Sequence, residues 1–464
     1  MQDFTSGRPS GLILRFTAPM LLGNVFQQVY NITDSIIVGK FLGKEALAAV
    51  GSSFPLIFTL ISFVVGITTG TTIIVAQYFG AKEMVKVRRA IDTMYIFLFF
   101  ASIVIGVVGI IFSGPIFRLI HLPEDVIPQA VLYMQVYFTG MLFFFGFNGS
   151  SAILRGLGDS KTPLYFLIIS TVVNIFLDLL FIVVFKWGIF GAALATVIAQ
   201  AGAFLTLVVY LNRTHPLMNL SFRKYTWDRE VFRQSIRIGL PTGFQQTFVS
   251  LGMMALLRIV NNFGTDTVAA YSVAGRIDNL ASLPAMNFGQ ALSSYTGQNI
   301  GAGKFKRVGE GLTATLKMST LVAVLTSIVI MVFRRPLMTL FTNDAAVIAI
   351  GEHYLLIVGG FYIIFSSMFV IGGVMRGAGD TLIPMFITLM SLWLFRVPLA
   401  AILSKSMGVD GIWWAIPIAW FMGMSMSYLY YRTGKWKTKG VVKRSQFRDT
   451  SADEAEVYTG SEGF

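Results

Sequence analysis

Arg155-Gly156-Leu157-Gly158-Asp159 and, 221 residues later, Arg376-Gly377-Ala378-Gly379-Asp380 are one short phrase written twice. A proline follows each at the same distance, Pro163 and Pro384. Outward from this pair the offset persists. Gln77, Gly80 and Ala81 correspond to Gln298, Gly301 and Ala302; Gly43, Ala48 and Ala49 correspond to Gly264, Ala269 and Ala270. After one deletion Gly188 and Gly191 meet Gly408 and Gly411. An offset that hardly drifts over separated blocks marks a duplicated unit.

Composition says what the unit is made of. The chain is 55% hydrophobic and 13% charged, with a mean hydropathy of +0.70, whereas soluble domains carry roughly a quarter of their residues charged. Apolar runs of about the ~20 residues that cross a bilayer recur. They lie at 12–42, 45–79, 91–113, 126–154, 163–186, 188–212, 238–262, 266–299, 311–333, 346–375, 383–404 and 408–431. Long continuous runs predict an all-α membrane bundle of twelve transmembrane helices and exclude a β-barrel, whose strands would be short and alternating. The segment 1–10 is too short and polar for a cleavable signal.

The expected organisation is a six-helix lobe over 1–212, a cytoplasmic connector over 213–237, a second six-helix lobe over 238–432, and a disordered tail over 433–464 that ends acidic. An even number of spans per lobe makes the repeats parallel, related by an axis along the membrane normal around a central cavity. Rocking two such lobes exposes the cavity to either face in turn. That is the geometry of a secondary transporter.

The formal charge of +13 is a topology signal. Lys and Arg gather in alternate loops: Lys82, Lys86, Arg88 and Arg89; Arg155 and Lys161; Arg223, Lys224, Arg229 and Arg233; Lys304, Lys306 and Arg307. The intervening loops hold Lys44, Arg118, Lys186 and Lys405, although Arg334 and Arg335 break the trend. The positive-inside rule places the rich loops and both termini in the cytoplasm of an inner (cytoplasmic) membrane, and leaves no nucleic-acid patch. The partner is the lipid bilayer, and nothing suggests more than a monomer. With no cysteine, thiolate metal sites are excluded. His121, His215 and His353 are scattered without metal-ligand spacing, and no Walker A motif appears. No enzyme and no cofactor is expected.

Where the halves differ, chemistry collects. At the shared offset Asp34 faces Ala255, Asp178 faces Leu399 and Asn174 faces Phe395. Gln27, Asn31 and Asp34 fall on one face of the first span, and Thr171, Asn174 and Asp178 on one face of the fifth. Thr196 stands in the small apolar run of the sixth. An acid at mid-span costs about 2.5–3.5 kcal/mol on insertion scales and so faces a protein interior or wet cavity. Two carboxylates in a poorly hydrated pocket repel and favour uptake of a proton. Carboxylate, amide and hydroxyl oxygens equally suit sodium, the sole metal ion the set would hold. A cationic substrate would compete with either, and one charge moved through the membrane potential is worth about 2.3 kcal/mol per 100 mV. Asn174 and Thr196 each have a plainer reading, as interhelical bonding or packing.

Tyr30, one turn before Asp34, joins Gln27 and Asn31 as a candidate for the substrate cavity. So do Arg276 and Asp278 of the eighth span, which alternatively neutralise one another. Arg258 and Arg396 either snorkel or line the cavity. Pro19 either kinks the first helix or marks its start.

Taken with Gln-Tyr-Phe-Gly-Ala-Lys at 77–82 and Gln-Asn-Ile-Gly-Ala-Gly at 298–303, the doubled lobe and both Arg-Gly-x-Gly-Asp phrases resemble the multidrug and toxic compound extrusion (MATE) family. The likeness runs to about Arg432. It implies an antiporter that exports lipophilic organic cations in exchange for protons or sodium. It further implies the branch with an acid on the first helix and Asn-x-x-x-Asp on the fifth, matched by Asp34, Asn174 and Asp178, with Thr196 beside them. The acid of another branch, on the seventh helix, has no counterpart in 245–251. Pro19 would help bend the first helix as Asp34 changes protonation. Two competing readings stay open: a flippase for lipid-linked sugars of the same architecture, which would want a strongly cationic cavity, and an intramembrane aspartyl protease built on Gly156–Asp159 and Gly377–Asp380. For the second, a turn with glycine at positive φ and an Asp cap is the simpler explanation.

Overall fold

The computed structural model describes residues 2–120, 122–215, 217–218 and 225–442. His121, Arg223, Lys224 and the acidic end of the tail lie outside the described residues. Among the described residues the chain is helical throughout. In order the helices are α1 (Pro9–Leu42), α2 (Lys44–Gly80), α3 (Met84–Leu119), α4 (Ile127–Thr139), α5 (Met141–Gly156), α6 (Lys161–Asp178) with a π-helical run Leu179–Val184, and α7 (Gly188–Thr214). The second half follows with α8 (Arg229–Asn261), α9 (Thr265–Gly301), α10 (Phe305–Thr339), α11 (Ala345–Gly359), α12 (Tyr362–Gly377), α13 (Leu382–Leu389) with a π-helical run Met390–Arg396, α14 (Val397–Met407) and α15 (Val409–Arg432).

Seven helices among the described residues are long and apolar enough to cross a membrane. Two bent pairs add to them: α4 and α5 meet at 55°, and α11 and α12 at 50°. The apolar runs alone predict one straight helix for each pair. At the break between α4 and α5 Gly140 packs closely on α7, since a Cβ there would come within 2.8 Å of Val197. The remaining long helices, α1, α2 and α9, are 34 to 37 residues long, about 50 Å at 1.5 Å per residue.

The repeated phrases are tight turns, as the glycines require: Gly158 has φ +80° and Gly379 φ +87°. Asp159 then caps α6, accepting from the N–H groups of Lys161 and Thr162, each at 3.0 Å, and from the Thr162 hydroxyl at 2.6 Å. Asp380 departs from that expectation. It accepts from the Tyr430 hydroxyl of α15 instead, a tertiary bond no local pattern reveals. Asp159→Ala should cost the solubilised protein about 0.5–2 kcal/mol of stability, the usual value of a lost cap, read as a lower thermal midpoint.

The halves meet along a seam at the end of the molecule that carries these turns. On α2 Gly66 and Gly70, and on α8 Gly239 and Gly243, form a Gly-x-x-x-Gly pair that brings the backbones together. A Cβ on Gly66 would lie 2.7 Å from the Gly239 carbonyl oxygen, and one on Gly70 2.5 Å from that of Ser235. At the corresponding seam of α1 with α9 the matching positions are Ala18, Leu22, Asn287 and Ala291. There the link is a hydrogen bond from Asn24 Nδ2 to Asn287 Oδ1 of 3.0 Å. Further along these helices the packing is looser at two glycines: Cβ atoms on Gly51 of α2 or Gly275 of α9 would meet nothing within 4 Å.

Two expectations are corrected. The tail does not become disordered at 433: Lys435–Thr438 is a 3-10 turn, and Trp436 is buried and stacks on Tyr431. The aromatic burial that anchors it is invisible to a charge count. The connector is also shorter than 213–237, because α7 runs to Thr214 and α8 starts at Arg229, capped by Asp228.

Candidate functional site

α1, α6 and α7 bring Asp34, Asn174, Asp178 and Thr196 together inside the first half. All four are buried, Asp178 completely. Asp178 is the last residue of α6, where the backbone widens into the π-helical run. Such widened turns release backbone groups and recur at functional sites. The carboxyl groups of Asp34 and Asp178 come within hydrogen-bonding reach of one another. The Asn174 amide, turned so that nitrogen faces the acid, donates to Asp178 Oδ2 at 2.9 Å and accepts from the Thr196 N–H at 3.2 Å. The Thr196 hydroxyl in turn meets the Tyr30 hydroxyl at 3.3 Å and donates to the Ala192 carbonyl at 3.2 Å. Among the described residues no Lys or Arg pairs with either acid. With both acids ionised, Asp178 Oδ1 is a buried acceptor with no donor. A proton shared between the carboxyls, or a small cation between them, removes that cost.

Tyr133 is a member of this site that the sequence reading does not find. It is buried, it feels the charge of both acids, and it stacks on Tyr137 at 6.3 Å. A signal exists: at the shared offset Tyr133 corresponds to Tyr354, so both halves keep a tyrosine there. Gln27 and Asn31 are half-buried on the same helix as Asp34, and neither side chain belongs to the hydrogen-bond network just described. Pro19 is buried within a continuous α1 and does not mark its start; its missing N–H leaves one carbonyl of the preceding turn free.

In the second half the expected Arg276–Asp278 pair is not formed. Residues two apart on a helix point to different sides: Arg276 is exposed, whereas Asp278 is half-buried and accepts from the Tyr362 hydroxyl at 2.6 Å. Tyr354 lies near the same carboxyl, and the nearby charge is that of Arg396. Arg396 neither snorkels nor stands open. It is 7% exposed, and its Nε has no partner among the described residues. Arg258 is exposed. No group of three or more His, Cys, Asp or Glu suited to a metal ion occurs among the described residues.

The comparisons agree with this plan. The MatE family profile matches residues 19–180 and, a second time, 241–402. The chain is 36% identical to the "Probable multidrug resistance protein YpnP" of Bacillus subtilis (strain 168), over 94% of this chain and 97% of that protein. It is also 36% identical to the same organism's "Probable multidrug resistance protein YoeA", over 93% and 95%. Its fold matches, with a TM-score of 0.85 and 25% identity over 93% of this chain and 96% of the other, a structure described as "Outward-facing conformation of a multidrug resistance MATE family transporter of the MOP superfamily". A profile found twice, on the halves the repeated phrases delimit, and relatives alike from end to end lead to one conclusion: the chain belongs to the MatE family of membrane transporters.

Proposed function

We propose that the protein is an efflux antiporter that exports lipophilic organic cations in exchange for protons or sodium by alternating access. The observation that carries the reading is the Asp34–Asp178 pair, buried, mutually facing and without a fixed cation, which makes a mobile ion the natural counter-charge. Asn174, Thr196 and Tyr30 supply further oxygens to the same ion. Relatives named as multidrug resistance proteins support the substrate class. Twelve spans follow if the bent pairs, the π-interrupted pairs and α1, α2 and α9 each cross once. Lobes 1–212 and 238–432 would then flank a central cavity lined in part by Gln27 and Asn31. With both termini cytoplasmic by the positive-inside rule, the closed seam faces the cytoplasm.

The second half supports an asymmetric reading. Its acid, Asp278, is half-buried, bonded by the Tyr362 hydroxyl and within the field of the buried Arg396 guanidinium, a fixed positive charge that lessens the need for an ion from solution. Asp278→Asn should therefore destabilise the protein, because it strands a buried guanidinium, yet leave the number of ions exchanged per substrate unchanged. Thermal midpoint and reversal potential in proteoliposomes separate the two effects. The overall function is tested by loading proteoliposomes with a lipophilic cationic dye and collapsing the pH and sodium gradients separately. Loss of efflux with one gradient names the coupling ion. Efflux indifferent to both overturns antiport.

A further inference from the structure

Gln77 and Gln298 stand at equivalent places near the ends of α2 and α9, both fully buried. Their amides cross the seam in matching fashion. Gln77 Nε2 donates to the Gly377 carbonyl at 2.9 Å, and Gln298 Nε2 to the Gly156 carbonyl at 3.1 Å. Each side-chain oxygen is then filled by an opposite end of the chain. Gln298 Oε1 accepts from the Phe4 N–H at 2.9 Å, and Gln77 Oε1 from the Val441 N–H at 2.6 Å.

The surroundings match as well. The backbone of Gln2 runs over Gly158, where a Cβ would collide with its carbonyl oxygen; that of Lys439 runs over Gly379, where a Cβ would lie 3.1 Å from its carbonyl oxygen. Phe4 is fully buried against Phe16 and Tyr295. Asn299 Nδ2 and Arg307 Nη2 hold its carbonyl at 3.1 and 3.2 Å, while Lys304 Nζ holds that of Thr5 at 3.1 Å. On the other side Gly440 packs over Ile300 and Gln77. Thus the leading segment, continuous with α1, is pinned to α9 and α10 of the second half. The trailing segment, continuous with α15, is pinned to α2 of the first.

We propose that residues 2–7 and 439–442 are paired clasps that hold this end of the seam shut, and that both must withdraw before it opens. They lie outside the matched segments 19–180 and 241–402, and 2–7 and 439–442 share no sequence likeness; two dissimilar peptides have taken equivalent seats. Withdrawal of either leaves a fully buried amide oxygen without a donor, so each clasp opposes opening. The proposal rests on the reading that the halves part here during transport.

The test uses the absence of native cysteine. Ala76 is fully buried, and its side chain faces Gly297 across the seam; Ala76→Cys in the full chain reports opening through a water-soluble thiol reagent and needs no substrate. Val441→Pro removes one N–H without shortening the chain, with Val441→Ala as the control that keeps it. Phe4→Ala loosens the other clasp. Each of Val441→Pro and Phe4→Ala should speed labelling several-fold, and the pair together more than either, while Val441→Ala does not. Unchanged labelling in folded protein overturns the proposal. Conversely, Gln77→Cys with Val441→Cys, joined by oxidation or a short bis-maleimide, should stop Ala76→Cys labelling from rising under transport conditions and should block transport. Full transport in the linked protein overturns it too. Because labelling is read without a drug, failure of the clasps is distinct from failure of the export reading.

Discussion

Asp34→Asn is expected to reduce ion-driven efflux to the background of empty vesicles while the protein stays folded in the membrane. The amide matches the carboxylate in size but carries no charge, so the pocket it shares with Asp178 falls from two acids to one. The surviving acid keeps its hydrogen bond from Asn174. What is lost is the mutual repulsion that makes proton or cation uptake favourable, and with it the charge on which the membrane potential does work, about 2.3 kcal/mol per 100 mV. Asp178→Asn should do the same. The double variant should be no worse than either, because the two carboxyls act as one unit and effects within a unit do not add. Efflux from proteoliposomes under an imposed gradient, with size-exclusion profile and thermal midpoint as checks of folding, measures all three. Undiminished gradient-driven efflux in Asp34→Asn would remove the basis for placing the coupling ion here.

The second large effect concerns the seam. Gly80 and Gly301 pass so close to the opposite half that a Cβ on either would meet a backbone carbonyl oxygen, of Gln298 and Gln77 respectively. Carbon–oxygen contacts settle at about 3.3–3.6 Å, and a backbone oxygen at a helix end cannot swing aside as a side chain can. Gly80→Ala or Gly301→Ala should thus leave each half folded but prevent the seam from closing as it does here. Reagent access at an Ala76→Cys probe should rise strongly. Efflux should fall by an order of magnitude or more, each tenfold loss corresponding to about 1.4 kcal/mol. Gly309→Ala is the matched control, since nothing lies within 4 Å of its Cβ. A closed, fully active Gly80→Ala protein would show that the tight approach is incidental.

Much of this is legible without coordinates. The membrane class follows from apolar runs, because lipid forces every backbone polar group to be satisfied inside a helix. The duplication follows from glycines and glutamines kept at a fixed spacing, and the structure gives their reason: Gln77 with Gln298, and Gly80 with Gly301, are the two sides of one seam. Asp34 and Asp178 stand out as acids without a counterpart in the other half, since a mid-span charge is costly and therefore informative.

Partner choice is not legible. Periodicity puts Arg276 near Asp278 in the chain, yet the acid turns to Tyr362 and Tyr354, because a helix sends residues two apart to different neighbours. Nor can Tyr133 be joined to the acids, or Phe4 and Val441 to their glutamines, contacts that cross nearly three hundred residues or more in the last two cases. The sequence by itself determined a duplicated helical membrane protein with unmatched acids in the first half, since burial in lipid acts on each segment separately. Only the tertiary structure decided which groups those acids and amides meet, and at which end the halves close, because hydrogen bonds and close packing depend on the positions of several helices at once.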